Sequence, residues 1–395
     1  MVLSSPASTV MTNQQRQPGI DVAELERELT ALWINLGEGD PESTVTRSCV
    51  LNLLVYTPAS EADYRLDETL IEVTGKHPGR AILLLADRDA TEPLLDAWVS
   101  SRCALPTSNS KQVCCEQITI RASATRVRET PSAVVSLILA DLPVYLWWRD
   151  VPRLGDAFFR RCASVADRVL VDTGAASSTL EGLREIAHFL SDGGRRTPLV
   201  DLNWTRLLTW RSVLAGFYDV PDYRKALNRI EKVEICYNPT GAPPAGTRGI
   251  APRALYLSAW LASRLGWKFD RAGTTAQANS FGFTFTAEGR EVRVLLNELE
   301  GPAERGGRLD QVVLSCSVAD SGRSTFSLTK TADDLRLAAQ VTLADARRLE
   351  RVLGYDRWTE STLLVKELEA LGHDRVFEES ALLAEQMIRA LDEGA

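Results

Sequence analysis

The sequence predicts two domains of different build: an α/β domain with a mostly parallel sheet over residues 45–220, then an α+β domain with an antiparallel sheet over residues 221–395. Three observations carry this. Through the first half, short apolar runs alternate with helical segments, the pattern of strands buried on both faces under crossover helices. After Pro221 the apolar period becomes two, as in Phe281, Phe283 and Phe285, in Val292, Val294 and Leu296, and in Val312, Leu314 and Cys316. Finally, 395 residues exceed what a single core takes, about 250–300.

Taken in order, residues 1–19 are rich in Ser, Thr, Gln and Pro with no apolar core, and read as a disordered tail rather than a secretory signal. Residues 20–44 hold an N-terminal helix: Asp21 caps it, Glu24 follows three residues later, and Val22, Leu25, Leu29, Leu32, Trp33 and Leu36 recur at helical spacing until Gly37–Pro41 stops it. Cys49–Tyr56, Ala81–Ala86, Cys115–Ile120, Val144–Trp148, Arg168–Val171 and Leu199–Leu202 read as strands. Thr130 and Pro131 open one intervening helix, and Ser178 with Glu181 caps another. In the second domain, Val233–Tyr237 is a strand and Asn238–Gly249 a Pro/Gly-rich loop. Ala254–Leu265 is a helix closed by Gly266; a meander follows to Thr342, and helices over Thr359–Leu371 and Ser380–Leu391 finish the chain.

Composition excludes several classes. A net charge of −8 argues against nucleic acid or an anionic membrane as the main partner. The most apolar stretch, Ala133–Trp148, is broken by Asp141 and Pro143 and is shorter than the roughly 20 residues that cross a bilayer. Seven scattered cysteines and three histidines make a poor disulfide framework and a poor zinc site. Reduced thiols in a cytoplasmic protein are expected, and adjacent Cys114 and Cys115 on a strand diverge too far to bridge each other. P-loop, GxGxxG, GxSxG and HExxH patterns are absent, so no catalytic residue, cofactor or metal is assigned.

The candidate binding residues form three groups. Arg80, in the turn His77–Arg80, has the planar fork that suits phosphate or carboxylate. Trp147, Trp148, Arg149 and Asp150 stand at the C-terminal end of a strand, where open α/β sheets bind ligands, with Asp172–Gly174 at the equivalent end of the next. Asp201, Asn203, Trp204 and Arg206 combine the groups that anchor interfaces with those that build buried polar networks.

The blocks Val45–Arg47 with Cys49–Leu53, His77–Ala81, Asp141–Arg149, Ala166–Asp172 and Asp201–Leu207 occur in order and resemble successive signature blocks of the OpcA family. They cover about residues 45–215; the C-terminal half resembles the family through its length and α+β pattern. The resemblance implies a non-catalytic allosteric activator and assembly factor of glucose-6-phosphate dehydrogenase in the oxidative pentose phosphate pathway, of a kind typical of cyanobacteria and actinobacteria. It implies that dehydrogenase as partner, with thioredoxin added in redox-controlled members. No cysteine follows Cys316 in this sequence, a departure from what a C-terminal thiol switch in those members would imply. The residues alone also admit an α/β enzyme or sensor of a sugar phosphate or nucleotide.

Overall fold

The computed structural model describes residues 19–38, 46–62, 64–104, 113–174, 179–192, 197–239, 249–274, 280–299, 306–318, 322–344, 346–355 and 358–393. The expected tail, the Ser178 cap and most of the Asn238–Gly249 loop lie outside them. The described chain forms two compact units that interleave in sequence. One comprises residues 1–172, 194–200 and 359–372; the other comprises residues 173–193, 201–358 and 373–395. The expected boundary at 220 was a single cut, whereas the chain leaves and re-enters each unit.

The first unit is built on strands β1 (Thr46–Arg47), β2 (Leu51–Pro58), β3 (Gly79–Asp87), β4 (Leu95–Ala104), β5 (Val113–Ser123), β6 (Val144–Trp148), β7 (Arg168–Val171) and β8 (Leu199–Asp201). Their order is β1-β5-β3-β2-β6-β7-β8, parallel wherever pairing is resolved, with β4 antiparallel on β5. From β5 to β8 this is the doubly wound order 3-2-1-4-5-6, which reverses direction between β2 and β6. Strands β6 and β7 are buried throughout and β2 nearly so, which is why their sequences are continuously apolar. Buried Asn52 on β2 bonds Leu139 N (2.8 Å), Leu139 O (3.0 Å) and Leu142 O (3.3 Å), pinning the connection into β6. Segment 359–372 closes the unit: Arg168 pairs with Glu367 (2.6 Å) and donates to Gly372 O (2.7 Å), and Tyr145 Oη donates to Leu368 O (3.0 Å).

The cap at Asp21 is present, its carboxylate accepting from Glu24 N at 3.0 Å. The helix Thr130–Leu137 begins one residue before the expected Pro131, and Thr130 bonds back to Val127 O instead of capping. Strand β4 was not expected, because Leu95–Ala104 mixes polar and apolar residues without a clean period. The expectation that all seven thiols are reduced is corrected: Cys114 is disulfide-bonded, and the β4–β5 register sets Cys103 opposite it. Cys115, pointing the other way, is free and buried.

The second unit's sheet contains β9 (Ile230–Tyr237), β10 (Lys268–Thr274), β11 (Ser280–Ala287), β12 (Arg290–Glu298), β13 (Leu309–Val318), β14 (Gly322–Lys330), β15 (Arg336–Leu343) and β16 (Ala346–Gly354). The order is β10-β11-β12-β9-β13-β14-β15-β16, antiparallel except where β9 lies parallel to β12. It is therefore not a simple meander. The helix Pro252–Arg264 separates β9 from β10, so β9 inserts at the centre, where Val233 and Ile235 are fully buried. One face carries Phe283, Phe285, Val294, Leu314, Phe326 and Val341, all buried. Helices pack against this unit's strands, Pro252–Arg264 on β9, Leu208–Phe217 on β14 and Pro221–Leu227 on β13, while Arg375–Glu393 packs on Pro252–Arg264 and β10. The last helix starts five residues before the expected Ser380 because Asp374 caps it, accepting from Phe377 N at 2.9 Å.

The opposite face alternates with the buried one. Along one row, Thr329, Gln311, Cys236, Asn297 and Ser280 stand in register across β14, β13, β9, β12 and β11. Their side chains bond laterally: Gln311 donates to Thr329 Oγ1 (3.0 Å), Cys236 lies 4.0 Å from Gln311 Oε1, and Ser280 donates to Asn297 Oδ1 (2.7 Å).

Candidate functional site

Arg80 opens β3 and is almost fully buried. Its position depends on Gly79, where a Cβ would stand 2.5 Å from Leu51 O. Its guanidinium meets internal carboxylates. Nε donates to Glu116 (2.5 Å), Nη1 to Glu26 (2.6 Å) and to Leu137 O (2.7 Å), and Nη2 to Glu26 (3.2 Å). Trp33 Nε1 donates to the other Glu116 oxygen at 3.0 Å. Burial opposes the charge of Arg80, but the bonds and attraction of Glu26 and Glu116 overcome it and raise its pKa. The group ties the helix Val22–Glu38 to the sheet.

Trp147 and Trp148 end β6, at the reversal of strand order where a doubly wound sheet opens a ligand crevice. Here the chain's own groups fill that place. Trp148 stacks on Tyr56 of β2 (centroids 3.8 Å apart, 12° between planes) and meets Phe159 edge-on at 4.9 Å. Arg88 covers the Tyr56 and Phe158 rings at 5.4 and 5.0 Å and bonds Asp156 at 2.5 Å. Burial raises the Tyr56 pKa to about 12. Arg149 lies over the Trp147 ring (5.1 Å) and donates to Thr57 Oγ1 (3.2 Å) and Glu61 O (3.3 Å), while Asp150 accepts from Val151 N (2.7 Å). The first crossover, Pro58-Ala59-Ser60-Glu61-Ala62-Asp63-Tyr64, has no glycine where a pyrophosphate would need close backbone approach.

Asp201, the last residue of β8 and the first of segment 201–358, sits with Asn203, Trp204 and Arg206 in the second unit. Asp201 is fully buried, and its carboxylate accepts from Asn203 N (2.9 Å), Asn203 Nδ2 (3.0 Å), Thr173 N (3.3 Å), Tyr256 Oη (3.0 Å) and Thr173 Oγ1. Its two oxygens are thus committed to structure. Asn203 Oδ1 accepts from Arg206 (3.4 Å) and Arg253 (3.2 Å). Trp204 donates to Asp374 (2.8 Å), packs against Tyr256 and Phe377, and carries Arg211 stacked 3.5 Å from its ring centroid. Tyr256, Arg253, Asp374 and Phe377 escaped sequence reasoning. Each looks like an ordinary helix or cap residue until the fold brings it to Asp201 or Trp204.

The arrangement therefore binds itself. The assigned residues fall into separate clusters within their units, held by buried rings and internal bonds. Among the described residues no three His, Cys, Asp or Glu side chains are grouped to hold a metal ion, and no helix is long and apolar enough to cross a membrane.

Comparison with known proteins adds two domain matches: residues 71–188 fit the family described as glucose-6-phosphate dehydrogenase subunit N-terminal domain, and residues 197–381 the corresponding C-terminal domain. A protein named OxPP cycle protein OpcA in Nostoc punctiforme is 28% identical over 318 residues, 78% of this chain and 65% of its own length. One of the same name in Synechococcus elongatus is 27% identical over 319 residues, 78% of this chain and 67% of its own. The chain thus spans about two thirds of the length of these relatives. Among solved structures, myo-inositol dehydrogenase from Lactobacillus casei is 11% identical with a TM-score of 0.42, covering 88% of this chain and 96% of its own, too slight a likeness to transfer anything.

Proposed function

The chain belongs to the OpcA family of glucose-6-phosphate dehydrogenase subunits, and from that premise we propose that it is a non-catalytic partner of that dehydrogenase, favouring its active assembly and raising its activity in the oxidative pentose phosphate pathway. The observation that carries this reading is the pair of subunit-domain matches over residues 71–188 and 197–381. The filled strand-order reversal supports it from the physical side. A sheet of dinucleotide-binding order with Trp148, Tyr56 and Arg149 in the crevice and no glycine in the first crossover offers a scaffold rather than a cofactor site.

A partner with no chemistry of its own acts through differential binding: it binds the dehydrogenase state with higher substrate affinity more tightly and draws the population toward it. Titrating the purified protein into dehydrogenase assays tests this. Activity should rise to a plateau, while the protein alone, free of dehydrogenase, should reduce no NADP with glucose 6-phosphate. A flat titration would overturn the reading; turnover by the protein alone would instead favour an α/β enzyme of a sugar phosphate.

A further inference from the structure

One buried donor at the reversal of strand order is left over. Trp147 is fully buried at the end of β6, yet its indole Nε1 meets no acceptor among the described residues. An enclosed N–H without a partner loses its hydration and gains nothing in return, so it calls for an acceptor from outside the chain. The indole nitrogen is a donor only, and no second donor can satisfy it. The rings of Tyr56 and Trp148, which crowd out a dinucleotide, stack on the other face of β2 and β6, because neighbours along a strand alternate.

What stands over Trp147 narrows the class of acceptor. The Arg149 guanidinium lies over the indole ring at 5.1 Å, and Arg149 N donates to Tyr56 O at 2.9 Å, which fixes the main chain at this strand end. Its Nη1 is committed to two neutral oxygens, Thr57 Oγ1 and Glu61 O, while the Nε–Nη2 edge makes no bond among the described residues. No carboxylate among them pairs with this guanidinium. Asp150, next in sequence, turns its carboxylate to Val151 N at 2.7 Å, and Asp172, just after the neighbouring β7, makes no ion pair with Arg149. Thr57 is fully buried, and Arg149 is part-exposed. A guanidinium with no carboxylate partner, above an indole N–H with no acceptor and outside the carboxyl ends of β2 and β6, is a donor set for an oxyanion. The fork takes two coplanar oxygens; the indole N–H, in the ring beneath it, takes a third oxygen out of that plane. A tetrahedral phosphate supplies that oxygen and a planar carboxylate does not. We propose that this chain binds a phosphate group between Arg149 and Trp147 Nε1, the Arg149 side chain rotating to admit it.

The experiment uses the full chain, its nine tryptophans isotopically labelled at the indole nitrogen, and nuclear magnetic resonance in phosphate-free buffer. No dehydrogenase is present, so the outcome is separate from the proposed partnership. The probes are inorganic phosphate, glucose 6-phosphate and glucose, titrated to millimolar concentration. The indole signal that Trp147→Phe removes should move downfield and saturate with phosphate. Arg149→Gln should weaken that binding at least tenfold with unchanged melting, and so should Arg149→Lys, which keeps the charge but not the fork. Arg160→Gln, at an exposed position of the helix Ala157–Ala163, should leave it intact. A tighter response to glucose 6-phosphate than to inorganic phosphate supports a phosphate ester as the ligand, and equal responses support the free anion. Where Trp147→Phe does not fold, loss of the shift in the folded Arg149 variants carries the test. No indole signal moving with either anion, a shift that both Arg149 variants preserve, or an equal response to glucose would each overturn the proposal.

Discussion

At the scale of single residues, the tryptophans carry the first unit's stability. Trp148 is buried between Tyr56 and Phe159, so Trp148→Ala should cost about 3–5 kcal/mol of unfolding free energy, measured by urea denaturation. Unchanged stability with lost dehydrogenase binding would make it an interface anchor instead. Gly79→Ala should also destabilise, because its Cβ would meet the Leu51 carbonyl at 2.5 Å with backbone on both sides of the clash. The sequence showed a tight turn at His77–Arg80 but not that close approach, which only the β2–β3 pairing creates. It likewise marked Asp201 and Trp204 as notable by residue type, while their partners Tyr256 and Asp374 lie more than fifty and more than one hundred and fifty positions away. Separation of that kind leaves no local signal.

At the scale of elements, the helix Val22–Glu38 hangs on one buried ionic group. Removing Arg80 leaves Glu116, fully buried, with an uncompensated charge, so Arg80→Ala should cost about 3–5 kcal/mol. Glu26→Ala, at a side chain 43% exposed, should cost at most about 1 kcal/mol; equal losses in the two variants would show that the helix contact, not the buried charge, dominates. The helix itself was legible from its cap and its period. Most strands of the first sheet were legible too, because burial on both faces leaves continuous apolar runs. Strand β4, at the sheet's margin, alternates imperfectly, and the central insertion of β9 is set by long-range pairing with β12 and β13, which periodicity does not encode.

At the scale of the whole molecule, alkaline pH should loosen the first unit. Burial raises the pKa of Tyr56 to about 12 and that of Cys162 to about 12. Both are acids whose neutral forms the fold favours, so the unfolded chain releases their protons first. Stability from these groups is whole below about pH 9 and falls as pH rises toward 12. Urea midpoints at pH 8, 9.5 and 10.5 should decline, less steeply in Tyr56→Phe; equal slopes would exclude Tyr56 as a contributor. If the protein shifts the dehydrogenase toward its high-affinity state, linkage requires that glucose 6-phosphate tighten the association of the two proteins by the same factor that the protein tightens the sugar phosphate, typically about 5–150-fold. Titration calorimetry without NADP compares the two factors, and unequal factors would exclude a pure population shift. The interleaved chain has a further consequence, for synthesis. Among the described residues, Arg168 and Tyr145 find side-chain hydrogen-bond partners in segment 359–372, roughly two hundred residues downstream. At about 5–20 residues per second, a nascent chain waits about 10–40 s between emergence of the sheet and arrival of its closing helix. During that interval the N-terminal half is exposed at the ribosome with the Arg168 charge unmatched, so a stop codon before Thr359 removes more than a tail: it releases a first unit that was never closed.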